Sequence, residues 1–219
     1  FISQSPQTFP TNSQPIRPGS YIHVGKGLPA DAPIKELTLE CWVRPWNLKS
    51  WQGLITQHNY PDNCGYGLFI NGEGQIAFSL GTGGEYDSDQ MLHGPGLKLR
   101  KWHHVVATWD GSTAAIWLDG QLHVKEGRAA IHPAPKAGAA PLRIGAYGQR
   151  SVAGNFLNGD IAAPAIYTRA LSGPEIANRF KDKGLIPPSP NGLAAHWPLD
   201  EEKGSRVRDA SGNQLHGRI

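Results

Sequence analysis

What this sequence lacks excludes several protein classes. Two cysteines, Cys41 and Cys64, in 219 residues exclude a disulfide-rich scaffold, and their spacing leaves open one bridge or two free thiols. No apolar run approaches the about 20 residues that a membrane-spanning helix requires. The 21 Lys and Arg residues are scattered among 18 acidic residues, without the basic run typical of a nucleic-acid or anionic-membrane surface. We therefore expect neither a nucleic acid nor a membrane as a partner.

Glycine and proline are abundant instead. The 27 Gly and 18 Pro residues favour many short elements joined by turns. Apolar and polar residues alternate over 37–43, which is the pattern of a half-buried strand, and NGEGQ at 71–75 is typical of a hairpin turn. Residues 81–100 and 127–140 are predicted to be loops, and 172–183 is the one segment that suits a helix. About a dozen short strands with one short helix predict an all-β fold, a two-sheet antiparallel jelly-roll sandwich.

Composition and hydrophobic pattern divide the chain into four predicted segments. Residues 1–18 are polar and rich in proline, which indicates a leader strand or linker. Residues 19–184 carry the predicted jelly roll, and 185–191 form a proline-rich linker. Residues 192–219 form a C-terminal β segment that either completes the sandwich or opens a truncated next domain. Because the chain begins with Phe and shows no signal-peptide pattern, we interpret it as a fragment or a processed chain.

Five motifs carry a resemblance to a known family. They are LTLECWVRP, GYGLFINGEGQIAF, KWHHVVATWDGSTAAIWLDGQ, PLRIGAY and FLNGDIAAPAIYTRALSGPEI, in this order. The order resembles that of laminin-G-like domains, which are concanavalin A-like jelly rolls of the lectin/glucanase superfamily. The leader RPGSYIHV and the C-terminal GLAAHWPLDEEKGSRVRDASGNQLHGRI are similar to what surrounds such a domain in the large subunits of N,N-dimethylformamidases. The resemblance implies an accessory domain beside a catalytic portion that this chain does not contain.

Metal binding is not expected. Calcium requires six to eight oxygen ligands, and two acids of the family pattern are replaced by Ser20 and Ala162, while Asp160 lies two positions away. His103 and His104 are adjacent in a predicted strand, so their side chains point to opposite faces and cannot share an ion. One of them is expected to pack inside and the other to face solvent. We therefore predict no metal site and no cofactor.

Catalytic patterns are also absent from the sequence. Retaining glucanases of this superfamily take their two carboxylates from an E-x-D-x-x-E strand, and none occurs among the 18 acidic residues. The consecutive acids at 200–202 are interpreted as a solvated corner. There is no G-x-S-x-G nucleophile and no phosphate-binding glycine loop before a helix. We therefore expect no catalytic residue in this chain, although the resemblance leaves an amidohydrolase parent of the formamidase type open.

The seven tryptophans offer the strongest candidates for binding. Indole rings can stack on the apolar faces of sugars and donate a hydrogen bond. Trp46 and Trp51 lie in the loop PWNLKSW and, with Tyr86 in the 81–100 loop, are predicted to line a platform at the rim. Four others lie in family strands, where packing between the sheets explains them: Trp42, Trp102, Trp109 and Trp117.

Three functions are consistent with these observations. The first is a non-catalytic recognition or assembly domain of a larger protein resembling the N,N-dimethylformamidase large subunit, with neighbouring domains or subunits as partners and a cytoplasmic location. The second is a secreted carbohydrate-binding module that binds a glycan outside the cell. The third is a protein-adhesion module. Because binding in such folds depends on variable rim loops, the sequence alone identifies no ligand.

Overall fold

The computed structural model describes residues 20–25, 27–28, 34–81, 83, 91–127, 140–149 and 152–219. The predicted leader at 1–18 and Tyr86 lie outside these residues, as does nearly all of the predicted 127–140 loop. The described strands form two antiparallel sheets, one of eight strands and one of six.

The first sheet has the strand order β13-β14-β1-β10-β3-β4-β5-β6. Its strands are β1 (Ile22–Gly25), β3 (Gln52–Asn59), β4 (Cys64–Ile70), β5 (Gln75–Leu80), β6 (Leu92–Gly96), β10 (Leu142–Ile144), β13 (Arg206–Val207) and β14 (Gly217–Arg218). A single 3-10 turn at Tyr60–Asp62 joins β3 to β4. The hairpin predicted at 71–75 joins β4 to β5, and Asn71 accepts the backbone N–H groups of Glu73 and Gln75 on its side-chain oxygen.

The second sheet has the strand order β12-β11-β2-β7-β8-β9. Its strands are β2 (Leu37–Pro45), β7 (His103–Trp109), β8 (Thr113–Leu118), β9 (Gln121–Gly127), β11 (Gly159–Tyr167) and β12 (Leu193–His196). All pairings in both sheets are antiparallel, so the all-β jelly-roll sandwich predicted from the sequence is confirmed.

The main core lies between the two sheets. Alternate residues of each strand point into it, for example Leu39, Cys41 and Val43 from β2 and Leu68 and Ile70 from β4. Their strand neighbours therefore point to the two outer faces of the sandwich, because successive side chains of a strand alternate. Both cysteines are buried and neither forms a disulfide, so the two alternatives left open by the sequence resolve to no bridge.

One helix, α1 (Gly173–Lys181), packs on the outer face of the second sheet. Ser172 is its N-cap, as predicted, and the Glu175 carboxylate accepts hydrogen bonds from both the backbone N–H and the hydroxyl of Ser172 at 2.8 Å. Ile176 is completely buried against this face. Among the described residues, no helix is long and apolar enough to cross a membrane.

Two sequence predictions about loops and faces were wrong. The predicted 81–100 loop contains β6, because its inward residues Leu92 and Gly94 are buried while glycine and proline conceal the alternation. His103 and His104 are both buried, at 3% and 0% exposure, so neither faces solvent. The reason is that α1 covers the outer face to which His104 points.

The C-terminal residues contribute strands to both sheets. β12 pairs with β11 in the second sheet, and β14 pairs with β1 in the first, where Arg218 lies opposite His23. Trp197 follows β12 as a fully buried side chain, and its indole N–H donates to the Leu215 carbonyl at 2.8 Å. Asp209 fixes the turn between the last strands by accepting the backbone N–H groups of His196, Ser211 and Leu215.

Candidate functional site

Trp46 lies at the rim, directly after β2, and its side chain is 45% exposed. Its indole N–H donates to Asp160 Oδ2 at 3.1 Å, and the same oxygen accepts Arg44 Nε at 2.7 Å. The Arg44 guanidinium in turn lies 5.2 Å from the ring centre of Trp102. Burial raises the pKa of Asp160, and the hydrogen bonds from Arg44 and Trp46 offset this only in part. The indole of Trp46 is thus held in place while much of its ring stays open to solvent.

Trp51 is half-buried just before β3 and contacts the first sheet, to which β3 belongs. Its ring meets Phe69 edge-on, with centroids 6.3 Å apart. Phe69 points to the outer face of the first sheet, because its neighbours Leu68 and Ile70 both point into the core. Trp46, by contrast, contacts Asp160, the neighbour of the core residue Ile161, on the outer side of the second sheet. The two predicted binding residues therefore lie against different sheets, and Tyr86 is outside the described residues.

A cleft opens at the surface near the first sheet, and the sequence did not indicate it. Its volume is about 600 Å³. Its lining is Tyr60, Tyr147, Gly148, Gln149, Val152, Ala153, Gly154 and Asn155. Tyr60 and Val152 are 44% and 70% exposed, respectively, so the apolar surface of the cleft is accessible. None of these eight residues carries a charge at neutral pH.

An aromatic cluster supports this cleft from below. Phe69 lies at its centre and meets Tyr147, His58 and Trp51 edge-on, at centroid distances of 5.1, 5.7 and 6.3 Å. Edge-to-face contacts of this kind fix ring orientation as well as bury apolar area. Trp51 therefore takes part in the cluster beneath the cleft rather than in a platform shared with Trp46.

Glycine allows residues 145–149 and 152–157 to lie on β3. The Gly53 N–H donates to the Asn155 carbonyl at 3.0 Å, and a β-carbon at Gly53 would collide with the backbone of Ala146. Tyr147 and Gly154 exchange two backbone hydrogen bonds, of 3.1 and 2.7 Å, which hold these two segments together. The position of Tyr147 in the cleft thus depends on close backbone packing at Gly53.

His58 is a buried, titratable member of the aromatic cluster. It is 2% exposed, and its ring lies 3.4 Å from the Ser79 hydroxyl. Burial lowers its pKa to about 4, so the ring is neutral at physiological pH. A neutral ring packed edge-on against Phe69 acts as part of the core of the cluster.

A second set of titratable side chains is buried between α1 and the outer face of the second sheet. The Glu40 carboxylate accepts hydrogen bonds from His104 Nε2 at 2.9 Å, Arg179 Nε at 3.0 Å and the Tyr167 hydroxyl at 3.2 Å. Burial raises the pKa of Glu40, but the hydrogen bond from His104 and the charge of Arg179 outweigh this, so the pKa lies below its usual range. Arg179 lies in the last turn of α1 and is only 9% exposed, because its side chain turns inward to Glu40.

The tryptophans predicted to pack between the sheets do so only in part. Trp109 is buried in the main core. Trp42 lies on the outer face of the second sheet and stacks on Phe180 of α1, with centroids 5.8 Å apart and an interplanar angle of 16°. Trp117 packs in the cluster under the helix. The difference arises because the outer face is itself covered, so an aromatic residue that points outward is still packed.

Among the residues that the structure describes, no group of three or more His, Cys, Asp or Glu side chains is placed to hold a metal ion. Asp110 caps its own turn by accepting the backbone N–H groups of Ser112 and Thr113. Asp119 accepts the N–H of His104 and pairs with the His103 ring at 3.0 Å.

Comparison with known proteins identifies the fold. The family profile described as concanavalin A-like lectin/glucanases superfamily, of the laminin G type, matches residues 18–177. In a search of curated protein sequences, no significant match to the chain was found.

Three solved structures illustrate the similarity. A Bacteroides ovatus protein with a proposed role in carbohydrate binding has a TM-score of 0.68 at 16% identity, with 90% of this chain and 55% of that chain covered. Trypanosoma rangeli sialidase in complex with sialic acid has a TM-score of 0.53 at 21% identity, with coverage of 71% and 24%. The CBM40 of Ruminococcus gnavus IT-sialidase, bound to α2,3-sialyllactose, has a TM-score of 0.53 at 12% identity, with coverage of 73% and 94%. The chain thus spans about half of the first protein and a quarter of the second, and at these identities the likeness concerns the fold.

Proposed function

This chain belongs to the concanavalin A-like lectin/glucanases superfamily, and we propose that it is a carbohydrate-binding module. The similarity in fold to a Bacteroides ovatus protein with a proposed role in carbohydrate binding and to the CBM40 of a sialidase supports this function. Since fold alone does not determine function, the proposal depends on a site in this chain that suits a sugar.

The single observation that carries the proposal is the cleft lined by Tyr60 and Tyr147. A pyranose ring presents a face of C–H groups that packs on an aromatic ring, while its hydroxyl groups need hydrogen-bonding partners. The cleft offers both, because the two tyrosines stand beside the exposed amide side chains of Gln149 and Asn155. Its volume of about 600 Å³ lies within the range of small-molecule sites. With no charged side chain in its described lining, the cleft suits neutral sugar rings.

The binding residues predicted from the sequence take different places in this proposal. Trp51 supports the cleft indirectly, through Phe69 and then Tyr147. Trp46 stands outside the cleft, at the rim of the second sheet. Tyr86 stays a prediction, since it lies outside the described residues.

The proposed function is recognition without catalysis. Among the acidic residues with described partners, Glu40 is sealed beneath α1 and Asp160 is shared between Arg44 and Trp46. Glu175 caps the helix and Asp209 caps a turn. Each of these carboxylates therefore has a structural partner, and none lines the cleft.

The test is binding of neutral oligosaccharides to the purified chain. A glycan array selects the best ligand, and isothermal titration calorimetry then compares Tyr147→Ala, Tyr147→Phe and the wild type. We expect Tyr147→Ala to weaken binding by about tenfold or more, which corresponds to the loss of one stacked ring. Tyr147→Phe should retain most of the affinity because it keeps the ring. Leu122→Ala, which removes an exposed apolar side chain from β9, is the matched control.

Two results would contradict the proposal. One is an array on which no glycan binds, which would favour the protein-adhesion alternative. The other is a glycan that binds Tyr147→Ala and Tyr60→Ala as tightly as the wild type, which would place the site elsewhere.

We also propose that the module works within a longer protein. The matched regions of the Bacteroides ovatus protein and the Trypanosoma rangeli sialidase are parts of longer chains, which supports this arrangement. An amidohydrolase parent of the N,N-dimethylformamidase type stays a prediction from the order of the sequence segments. The intact mass of the polypeptide from its native source, with any co-purifying subunit, tests it. A mass close to 23.7 kDa would contradict it.

A further inference from the structure

Four exposed cationic side chains lie at one end of the sandwich, one in an early loop and three close together in a later loop. They belong to the loops 46–51 and 97–102, which meet the turn 71–74 at this end. The residues are Lys49, Lys98, Arg100 and Lys101. Against these four, Glu73 is the one acidic residue in the three loops. We call these four cations and Trp46 the basic rim.

Backbone hydrogen bonds hold the loops of the basic rim together. The Arg100 N–H donates to the Pro45 carbonyl at 2.7 Å, which places Arg100 beside the residue that precedes Trp46. The Leu97 N–H donates to the Gly74 carbonyl at 2.9 Å. Within the first loop, the Gln52 side chain donates to the Asn47 carbonyl at 2.8 Å. The rim is therefore built on fixed loops.

Two details of the rim favour ligand binding over simple solvation. Arg100 has a left-handed backbone with φ of 58°, a conformation in which glycine would carry less strain. Backbone strain of this kind is concentrated at functional sites. The Trp46 N–H is already bound to Asp160, so the exposed part of the indole offers an apolar face, in the loop to which the Arg100 backbone is bound. An exposed aromatic face on the same rim as several cations suits a sugar ring that carries an anionic group.

We propose that the basic rim is a second binding site, which recognises an acidic glycan through its carboxylate or sulfate groups. The sugar ring packs on Trp46, and its oxyanion groups pair with Lys98, Arg100 and Lys101. This inference deepens the proposed glycan-binding function and rests on it, but it concerns a surface separate from the neutral cleft. Arg44 is paired with Asp160 and takes a positioning role, because it orders the carboxylate that holds Trp46.

The test uses pairs of probes that share a sugar backbone, one member charged and the other neutral. Hexagalacturonate is compared with its methyl ester, and sulfated maltohexaose with maltohexaose, by calorimetry at low and high salt. We expect hexagalacturonate, the sulfated probe or both to bind more tightly than their neutral partners, with affinity that falls as salt screens the cations. The two charged probes distinguish a carboxylate site from a sulfate site.

Variants locate the site. The double variant Lys98→Gln/Lys101→Gln should weaken binding of the charged probe by about fivefold to tenfold, since each exposed ion pair contributes modestly. Lys181→Gln/Lys203→Gln removes two exposed charges elsewhere and should change nothing. Arg100→Gly should also weaken binding, while its thermal midpoint stays unchanged or rises because the backbone strain is relieved. If Arg100 had a purely structural role, Arg100→Gly would instead have a lower thermal midpoint than the wild type.

The outcomes separate this inference from the proposed function. If neutral glycans bind in the cleft and no charged probe binds, or if the rim variants bind as well as the wild type, the inference is overturned and the proposed function stands. If Tyr147→Ala abolishes binding of the charged probe, that probe occupies the cleft, and the inference is again overturned. Binding of a charged probe that is lost in the rim variants and kept in Tyr147→Ala supports the second site even if no neutral glycan binds.

Discussion

Glu40 of β2 and Arg179 of α1 form a buried ion pair at 3.0 Å across 139 positions of the chain. This pair joins the helix to the outer face of the second sheet, and His104 completes the carboxylate's partners from β7. Because both charges are removed from water, each depends on the other for its stability.

Glu40→Gln should destabilise the fold by about 3–5 kcal/mol, because it leaves the buried guanidinium of Arg179 without its counter-charge. The measurement is the free energy of unfolding in urea. Glu202→Gln, at an exposed acid, is the control and should change stability by less than about 0.5 kcal/mol. Equal stabilities for the two variants would show that the ion pair is not what fastens the helix.

Glu175 should contribute to stability through the N-terminus of α1. It caps Ser172 and forms two hydrogen bonds with the Arg169 guanidinium, at 3.1 and 2.7 Å. We expect Glu175→Ala to cost about 1 kcal/mol, the usual value for a lost cap, because alanine cannot accept the hydrogen bonds from Ser172. A double-mutant cycle with Arg169→Ala should give a coupling of about 0.5 kcal/mol, as for other exposed pairs. Zero coupling would assign the whole effect to the cap.

His58 should make the fold less stable between pH 6.5 and pH 4. The unfolded chain protonates this ring near its ordinary pKa of 6.5, whereas burial lowers the pKa in the folded chain to about 4. The unfolded state therefore binds more protons in this window, and stability falls as the pH falls. The shift corresponds to about 3 kcal/mol at pH 4, with no effect above pH 7.

The measurement compares the wild type with His58→Phe in urea at a series of pH values. Between pH 6.5 and pH 4, the free energy of unfolding of His58→Phe should change much less than that of the wild type. His196 has a pKa that burial also lowers, so some dependence should remain. Parallel pH profiles for the two proteins would contradict the assignment to His58.

Gly53→Ala should disturb the cleft as well as the fold. A β-carbon at this position collides with the backbone of Ala146, so the loop that carries Tyr147 must move. We expect a loss of about 2 kcal/mol or more, as for other overpacked sites, together with weaker binding of the neutral glycan. Gly72→Ala is the matched control, because its nearest neighbour is Trp51 at an ordinary 3.8 Å. Equal stability and affinity for the two variants would contradict this packing.

Both cysteines should react slowly in the folded protein. Cys41 and Cys64 are buried thiols outside any disulfide, and burial raises the pKa of Cys41, which disfavours the reactive thiolate. Treatment with iodoacetamide should add no mass to the native chain and two carbamidomethyl groups after denaturation without a reductant. A denatured chain that takes up none would reveal a disulfide.

The fold could be predicted from local sequence patterns. The wrong predictions concerned side chains whose burial depends on contacts between distant parts of the chain. Alternation predicted β2, and the Ser-Gly-Pro-Glu sequence predicted the start of α1 at Ser172, because both depend on neighbouring residues. The burial of His104 and Arg179 could not be predicted in this way, since it requires α1 to pack on the outer face. β6 was missed because glycine and proline conceal its pattern.

The candidate sites were harder to predict than the fold. Tyr60 follows β3 and Tyr147 follows β10, so the cleft exists only once Ala146 and Asn155 pack on Gly53 of β3. Exposed tyrosines beside turn sequences, such as NYPDN and GAYGQ, were the available signal. The basic rim was missed because Lys98, Arg100 and Lys101 form too short a run to stand out, and only the folded chain brings their loop to Trp46.

The pairing of β14 with β1 has a consequence for synthesis on the ribosome. Arg218 lies opposite His23, so an early strand of the nascent chain waits for one of its partners until nearly all of this sequence has been translated. The central strands, which pair with sequence neighbours in hairpins, can order earlier as they leave the exit tunnel. We expect the first sheet to be completed only after release of residues 206–218, with β1 in the meantime a target for chaperones that bind unpaired strands.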